Sequence, residues 1–279
     1  MINKILEEMF LLRNDTKQYK PLVHCITNPI SIHDCANIIL ATGARPIMAE
    51  HPFEVEQITG MSQALVLNLG NITDVRMESM KRSFSLSVKE GIPSVLDLVG
   101  IACSDLRKDY VKELLQCGNP DILKGNMSEM LMMSGLPSHS IGVDSGDLLS
   151  EENEEQIFQA FSELSCKTKS VLLISGKQDI IVHKNEIYIG ENGTENLASI
   201  TGTGCMLGAL CGSYLMKGSP FLASVLAVST MGIAGELASV HFKGPGTFQN
   251  ELLDAVYQLN EEQFQSRIKL KKREGKKVK

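Results

Sequence analysis

Residues 196–217 read NLASITGTGCMLGALCGSYLMK, the stretch around which the chain is organised. A tight glycine run at 201–204 is followed by residues with helical spacing that stop at Gly218, as is usual at a helix C-terminus. Glycines directly before a helix leave several backbone N–H groups pointing at one place, where the helix dipole adds partial positive charge. The pattern favours an anion site, with phosphate as its usual ligand. A turn that only allows close helix packing is the other interpretation, and Gly208 and Gly212 agree with it.

Two familiar nucleotide-binding patterns do not fit this stretch. The Walker pattern requires Lys followed by Ser or Thr after its last glycine, whereas Cys205 follows Gly204. The dinucleotide fingerprint is incomplete here and lacks an acidic residue about 20 positions further on. Neither pattern therefore explains the glycine run.

The composition predicts a sizeable α/β protein without nucleic-acid or membrane partners. The chain has 279 residues, 43% of them hydrophobic, and a net charge of −6. Its seven cysteines are an odd number without a Cys-x-x-Cys pair, which argues against a zinc site or disulfide scaffold and favours a reducing cytosol. No signal peptide is visible, so we expect a cytoplasmic protein. The apolar stretch 219–235 is followed at once by Glu236, and we predict a buried helix there.

Short apolar runs alternate with helical patterns along the chain. This alternation predicts a mainly parallel central sheet with helices on both faces, formed by strands at 21–28, 45–49, 64–70, 93–100, 121–126 and 170–176. The runs 179–183 and 186–190 predict an antiparallel hairpin at an edge of that sheet. Polar or soft side chains follow the strand ends, where ligands bind in open α/β sheets: Asn28, Met48, Asn68, Asp97, Asn126 and Ser175.

The predicted domain organisation is simple. Residues 1–268 form one domain, and the basic residues 269–279 form a disordered tail. Helices are predicted at 2–17, 32–42, 74–90, 104–117, 127–134, 151–165, 220–240 and 248–266, besides the helix after the glycine run. The long loop 136–150 is expected to form a mobile flap.

Two acids and one lysine are the candidates for chemistry beside the anion site. Asp97 ends a predicted strand, and Glu129 lies just inside the helix that follows Asn126. Together with the glycine run they suggest Mg²⁺ bridging phosphate groups, since Mg²⁺ commonly uses one or two carboxylates. Taken singly, Glu129 is equally well a first-turn helix residue and Asp97 a cap. Lys124 lies beside Gly125 on a predicted site strand and could reach a phosphate.

Cys205 occupies the first turn of the helix after the glycines. Helix N–H groups lower the pKa of a thiol there, so nucleophile, proton acceptor and inert packing residue are three open roles. A covalent mechanism is poorly supported because no His/Asp partner is placed by the sequence. His24 lies inside a predicted strand, where a histidine more often satisfies the core than acts as a catalyst.

Several segments, none specific alone, carry a resemblance as an ordered set: PLVHCITN at 21–28, AN at 36–37, GARPIMA at 43–49, LVLNLG at 65–70, VLDLVG at 95–100, KGNMSE at 124–129, GVD at 142–144, ITGTGC at 200–205, KGPG at 243–246 and LLDAVY at 252–257. Together they resemble the hydroxyethylthiazole kinases, thiamine-salvage members of the three-layer ribokinase-like fold. They cover nearly the whole chain.

The resemblance implies ATP-dependent phosphorylation of the hydroxyl of 4-methyl-5-(2-hydroxyethyl)thiazole, with Mg²⁺, by a homotrimer whose active sites lie between subunits. By position in the motifs, it implies that Met48, Gly202 and Asn28 bind the thiazole. For the nucleotide and its metal it implies ATP contacts from Lys124, Ser175 and Asn126, and Mg²⁺-linked acids at Asp97 and Glu129. The backbone N–H groups of residues Gly202, Thr203, Gly204 and Cys205 would hold the transferring phosphoryl group. Cys205 stands where related kinases keep an aspartate base.

Departures from the family pattern keep other functions open. Leu98 follows Asp97 where Pro is usual, His33 stands where Asn is common, and residues 29–32 differ as well. Lys124 replaces the usual Arg, which keeps the charge but loses bidentate phosphate geometry. A kinase for another vitamin-precursor alcohol, such as a pyrimidine or pyridoxal alcohol, and a non-catalytic thiazole- or nucleotide-binding protein remain as alternatives.

Overall fold

One nine-stranded sheet forms the framework of the protein. The computed structural model describes residues 2–136, 153–216 and 219–273. Within them the strands are β1 Leu22–Ile26, β2 Arg45–Ile47, β3 Ala64–Asn68, β4 Ser94–Asp97, β5 Ile122–Asn126, β6 Val171–Ser175, β7 Asp179–His183, β8 Glu186–Gly190 and β9 Leu270–Lys272.

The strand order creates a crevice between β1 and β3. The order is β2-β1-β3-β4-β5-β6-β7-β8-β9, and neighbours are parallel from β2 to β6 and antiparallel beyond. From β1 the chain first moves to one side to form β2 and then crosses to the other side to form β3. Such a switch point opens a crevice at the carboxyl ends of the strands, where open α/β sheets bind ligands.

The strands are buried on both faces, as parallel strands with helices on each side must be. All five residues of β3 are buried. Ala64 and Val66 belong to one apolar cluster, whereas Leu65 and Leu67 belong to the other. This period of two arises because successive side chains of a strand point to opposite faces. The predicted mainly parallel sheet with helices on both faces is confirmed.

Eleven α-helices within the described residues form the two outer layers. Those on the first face are α1 Ile2–Tyr19, α2 Ile32–Ala41, α8 Thr203–Tyr214, α9 Pro220–Ala238, α10 Pro245–Gln258 and α11 Glu261–Arg267. Those on the second face are α3 Val55–Met61, α4 Asp74–Glu90, α5 Asp105–Cys117, α6 Met127–Met133 and α7 Glu154–Thr168.

Helices α8 and α9 are apolar because they lie inside the first layer. Every residue of α8 from Met206 to Tyr214 is buried. A methyl group added at Gly212 would lie 2.3 Å from Val66 Cγ2, so glycine allows α8 to lie directly on the sheet. The segment Pro220–His241 is long and apolar enough for a membrane span, but 78% of its most apolar window is buried inside the protein. It is the buried core helix that the sequence predicts.

The predicted secondary structure needs correction in three places. Helix α3 was not predicted, because its seven residues show little apolar periodicity. The single helix predicted at 248–266 is two helices, since Asn260 starts α11 with a capping box. Residues 270–272 of the predicted disordered tail form β9, so β9 rather than the β7–β8 hairpin is the sheet edge. Residues 137–150 of the predicted flap and residues 274–279 lie outside the described residues.

Candidate functional site

A row of hydrogen-bonded side chains crosses the carboxyl ends of four neighbouring strands. Asn28 Nδ2 donates to Asn68 Oδ1 at 3.1 Å, and Asn68 Nδ2 donates to Asp97 Oδ2 at 2.8 Å. Lys124 Nζ donates to both carboxylate oxygens of Asp97, at 3.0 and 3.1 Å. The sheet register produces this row, because Asn68 pairs with Asp97 and Asp97 with Lys124.

Lys124 and Asp97 form a buried ion pair, with 3% and 1% of their surfaces exposed. Burial raises the pKa of Asp97 to about 6, although the Lys124 ammonium opposes that rise. Burial also acts to lower the pKa of Lys124, but the Asp97 carboxylate beside it outweighs this effect and the pKa is raised. Both groups are therefore charged at neutral pH. Burying such a pair costs desolvation free energy, so its presence is weak evidence for stability and points to a functional role.

The N-terminus of α8 lies against this ion pair. Gly202 is its N-cap, with φ +86° and no side-chain cap, and the first N–H groups of a helix have no intrahelical acceptor. A methyl group at Gly204 would lie 3.4 Å from Lys124 Nζ, and one at Gly208 would lie 3.3 Å from Asp97 Oδ2. The glycines thus bring donor N–H groups and an ammonium to one place, which is a suitable environment for phosphate.

The Cys205 thiol takes part in the same network. Its Sγ accepts a hydrogen bond from Asn28 Nδ2 at 3.3 Å. Burial raises the pKa of Cys205, and the Asp97 carboxylate raises it further, against smaller opposite effects of Ser31 and Lys124. The expectation that the helix N-terminus lowers the thiol pKa is therefore wrong. The thiol is protonated at neutral pH and is neither a ready nucleophile nor a ready base.

Glu129 and Asn126 form the capping box of α6. Asn126 Oδ1 accepts from Glu129 N at 2.9 Å, and Glu129 Oε2 accepts from Asn126 N at 2.8 Å. Glu129 Oε1 also accepts from Gly100 N at 2.7 Å. The helix-terminal interpretation of Glu129 is therefore satisfied in the structure. Its carboxylate lies close enough to Asp97 to raise the pKa of that acid.

The donor set for a metal is sparse. In the described ranges, no group of three or more His, Cys, Asp or Glu side chains could hold a metal ion. Asp97 Oδ2 already accepts two hydrogen bonds, whereas Asp97 Oδ1 and each carboxylate oxygen of Glu129 accept one and keep a second lone pair. Two carboxylates fit Mg²⁺ that keeps several waters and is also bound by substrate phosphates. They do not form a cage that would hold the ion without nucleotide.

Met48 and Ser175 lie at strands on opposite sides of β1, β3 and β4, the strands that α8 contacts. Met48 directly follows β2 and packs against the same apolar cluster as Cys205. Ser175 ends β6, pairs with Asn126 across the sheet, and donates to Gly125 O at 3.4 Å. The sheet order therefore places Met48 on the β2 side and Ser175 on the β6 side of the strands under α8.

Two residues of the site were given no role in the sequence analysis, although Asn68 was predicted to lie at the ligand-binding edge. Asn68 links Asn28 to Asp97, and its position at a strand end between two site strands was the available signal. Asp179 Oδ1 accepts from Gly176 N at 3.1 Å, immediately after Ser175. Burial raises the pKa of Asp179 to about 7, which Lys124 opposes. Only the β6–β7 pairing places this acid at the site, so the sequence carried no separate signal for it.

The architecture is that of the ribokinase-like proteins. A solved ribokinase-like superfamily protein from Enterococcus faecalis V583 superimposes with a TM-score of 0.63 at 13% identity, covering 89% of this chain and 93% of that one. A pyridoxal kinase from Staphylococcus aureus superimposes with a TM-score of 0.59 at 13% identity, covering 78% and 88%. At these identities the likeness shows the fold alone.

Closer similarity defines the family. The Hydroxyethylthiazole kinase family profile matches residues 14–262. "Hydroxyethylthiazole kinase 2" of Clostridium botulinum (strain Kyoto / Type A2) is 47% identical over 262 residues, which is 93% of this chain and 98% of that one. A hydroxyethylthiazole kinase structure from Pyrococcus horikoshii OT3 superimposes with a TM-score of 0.84 at 30% identity, covering 95% and 99%. The chain belongs to the hydroxyethylthiazole kinase family.

Proposed function

We propose that this protein transfers the γ-phosphoryl group of ATP to the hydroxyl of 4-methyl-5-(2-hydroxyethyl)thiazole, a step of thiamine salvage. One observation carries the proposal: in a member of this family, the uncapped N-terminus of α8 lies directly against the Lys124–Asp97 pair. Phosphoryl transfer requires little covalent chemistry from a protein and depends on positioning and charge stabilisation.

The chain's own residues divide the work between the two substrates. The N–H groups of Thr203, Gly204 and Cys205 would hold the transferring phosphoryl group, and Lys124 would offset its charge. Ser175 and Asn126 would contact ATP from the β5–β6 side. On the β1–β2 side, Met48 and Gly202 would contact the thiazole. Asn28 is already hydrogen-bonded to Asn68 and Cys205, so its role is to orient the β1–β2 side of the site.

Cys205 would lie beside the acceptor hydroxyl without ionising. A protonated thiol is a poor base for an alcohol. A loose transition state does not require early removal of the hydroxyl proton, so transfer can proceed without a strong base. The thiol then contributes shape to the pocket and a hydrogen bond with Asn28.

Mg²⁺ belongs to the proposed reaction as the counter-ion of the ATP phosphates, which it would help to neutralise. Asp97 and Glu129 are the acids that would hold it, and their free lone pairs fit a partly hydrated ion. Asp97 would also keep Lys124 in place, because both of its oxygens accept from Nζ.

We propose that the active form is a homotrimer with its sites between subunits. Two apolar side chains next to the thiazole side support a covered surface there. Ile30 follows β1 with 59% of its surface exposed, and Phe53 follows β2 with 87% exposed. In the trimer both side chains would be buried by a neighbouring copy.

We also propose a cytoplasmic location. All seven cysteines are free thiols, and Cys103 and Cys166 are exposed to solvent. Exposed unpaired thiols suit a reducing compartment.

The test is a phosphorylation assay with ATP, MgCl₂ and the thiazole alcohol, followed by ³¹P NMR and mass spectrometry of the product. We expect a thiazole monophosphate and a stoichiometric amount of ADP. Pyridoxal and a hydroxymethylpyrimidine at the same concentrations are the competing acceptors, and higher kcat/KM for either would replace the thiazole. Tight binding of the thiazole alcohol by calorimetry without turnover would instead establish a binding protein.

A further inference from the structure

Side chains of other elements form hydrogen bonds to the connection between β2 and α3, residues 48–54. Ala49 O accepts from His24 Nε2 at 2.9 Å, and Glu50 O accepts from Ser79 Oγ at 2.7 Å. The Glu50 carboxylate accepts from Arg76 Nε at 3.1 Å. Ala49 and Glu50 directly follow Met48 in the chain. These hydrogen bonds therefore fix the backbone next to Met48.

His24 is fully buried, and its two ring nitrogens have distinct roles. A carbonyl oxygen only accepts, so Nε2 carries the proton that is donated to Ala49 O. Nδ1 then accepts from Thr59 Oγ1 at 2.8 Å. Burial lowers the pKa of His24, which keeps the ring neutral and this tautomer occupied. Since Thr59 lies on α3, His24 joins the two ends of the β2–α3 connection.

Arg76 links the same connection to the site network. It is buried, and besides Glu50 it donates through a second nitrogen to Asn71 O at 2.5 Å. Asn71 lies three residues after Asn68, which bridges Asn28 and Asp97. Residues 48–50 form the wall that carries Met48. Arg76 thereby connects this wall to the loop after β3.

Strand β2 cannot supply this order by itself. It has three residues, it is an edge strand that pairs with β1 alone among the described strands, and its central residue Pro46 has no N–H to donate. An ordinary polar-core role for His24 would stabilise the fold without favouring one substrate. The contacts instead converge on the segment after Met48, on the thiazole side of the glycine run.

We propose that His24, oriented by Thr59, is a positioning residue that holds Met48 against the acceptor alcohol, with Arg76 and Ser79 as the second attachment of the same wall. The inference rests on the proposed function, since it assigns the acceptor side of that site. The wall determines affinity for the alcohol and leaves the ATP side unchanged.

Steady-state kinetics of His24→Leu, His24→Gln and Thr59→Val test the proposal. A KM rise at constant kcat reports lost binding, so His24→Leu and Thr59→Val should raise KM for the thiazole alcohol about tenfold, the effect of one hydrogen bond. The kcat and the KM for ATP should stay within about twofold. His24→Gln, which keeps an N–H near the Nε2 position, should recover most of the affinity. His183→Gln is the matched control, because His183 ends β7, which five strands separate from β2 in the sheet.

A methyl NMR measurement reports on the wall without turnover. ¹³C-methyl methionine labelling, with the Met48 signal assigned through Met48→Leu, should show a shifted and broadened Met48 methyl in His24→Leu. The signals of methionines outside this wall, and the spectrum of His183→Gln, should remain as in the wild type. Thr59→Val gives the same readout if His24→Leu folds poorly.

Three results would overturn the proposal: equal KM increases for both substrates, a loss confined to kcat, or an unmoved Met48 signal in a folded variant. Failure of the wild type to phosphorylate the thiazole alcohol would refute the proposed function instead. In that case the Met48 signal still decides whether His24 positions this wall.

Discussion

At the scale of single residues, Lys124 and Asp97 are the pair that stability alone does not justify. Two charges in a nearly dry environment repay their desolvation only through close mutual contact, and an apolar pair of similar volume is often as stable. Their position under Gly204 and Gly208 is where a transferring phosphate would need an ammonium. The sequence placed both residues at strand ends but could not show that they bind one another.

Removing the Lys124 ammonium should therefore lower both the stability and the activity of the protein, and a second substitution should restore the stability alone. Lys124→Met leaves the Asp97 carboxylate buried without its partner and should lower the free energy of unfolding by about 3–5 kcal/mol. Lys124→Met/Asp97→Asn removes both charges and should recover most of that stability. Activity should stay at least about a hundredfold lower in both variants, since charge stabilisation of the phosphoryl group is lost. Urea unfolding and kcat measurements check this.

Lys112→Met is the control for that experiment, because Lys112 pairs with Asp109 at 2.7 Å on the exposed face of α5. Its unfolding free energy should change by less than about 1 kcal/mol. Recovery of activity together with stability in the double variant would show that the pair is only structural.

Replacing Cys205 should be tolerated. The thiol is neutral and accepts a hydrogen bond from Asn28, so Cys205→Ala should retain kcat within about tenfold of the wild type. Cys205→Asp should keep or raise kcat, because a carboxylate there is a better base than a protonated thiol. Kinetics with circular dichroism of each variant provide the measurement.

Gly202→Ala is the variant with which the kcat of Cys205→Ala is compared. The position has φ +86°, and the added methyl would lie 3.0 Å from Ser31 Cβ, so the N-terminus of α8 must shift. Its loss of kcat should exceed that of Cys205→Ala. Complete inactivity of a folded Cys205→Ala protein would restore an essential role to the thiol.

At the scale of elements, β9 shows how a basic segment becomes ordered. Leu270 is buried beside β8, whereas Lys271 pairs with Glu191 at 2.6 Å and Arg273 pairs with Glu155 at 2.7 Å. The lysine-rich composition predicted disorder because the acidic partners are 80 or more residues earlier in the chain. One buried leucine among charged neighbours is too short a pattern to predict a strand.

Leu270→Ala should therefore destabilise the protein, by about 2 kcal/mol, as is typical of a truncated buried leucine near an edge. Lys271→Ala, in the same strand, should cost less than about 1 kcal/mol because its ion pair is on the surface. Denaturant unfolding of both variants gives the comparison. Equal and small effects would indicate that β9 does not contribute to the folded state in solution.

Elements with strong internal patterns were predicted well. β3 is five apolar or site residues between polar segments, and α4 has Thr73 as its N-cap and Gly91 as its C-cap. Helix α3 was not predicted, and the helix predicted at 248–266 is interrupted at Asn260. The two differences have a common cause. Short helices and interruptions between helices depend on one or two hydrogen bonds, which leave little periodicity in the sequence.

At the scale of the whole molecule, the site exists only because the sheet brings distant residues together. Asn28, Asn68 and Asp97 are 40 and 29 residues apart, yet their side chains bond directly. The predicted strand ends were sufficient to place them at one edge, since parallel strands end together. Which atoms would bond was not predictable, because it depends on strand order and on the depth of α8.

The proposed homotrimer makes Phe53 a critical surface residue. With 87% of its surface exposed beside the thiazole wall, it would be buried against a neighbouring copy. Light scattering should show three chains for the wild type and a smaller species for Phe53→Asp, with a raised KM for the thiazole alcohol. Tyr257→Asp, at an exposed aromatic of α10, is the comparison variant. A wild type that is monomeric and fully active would refute the shared site.

Metal binding should depend on the whole ternary site. Within the described parts of the chain, no cluster of three acidic, histidine or cysteine ligands exists, and the oxygens of Asp97 and Glu129 already accept hydrogen bonds. Mn²⁺, used as a paramagnetic substitute for Mg²⁺, should therefore give an electron paramagnetic resonance signal of mainly free ion with protein alone. A non-hydrolysable ATP analogue should reduce that signal strongly, because its phosphates complete the coordination. Glu129→Gln keeps one acceptor oxygen for the Asn126 N–H of the α6 cap, loses the acceptor of the Gly100 N–H and removes the charge, and should weaken Mn²⁺ retention in the ternary complex. Tight Mn²⁺ binding without nucleotide would contradict the shared site and indicate a metal centre built by the protein itself.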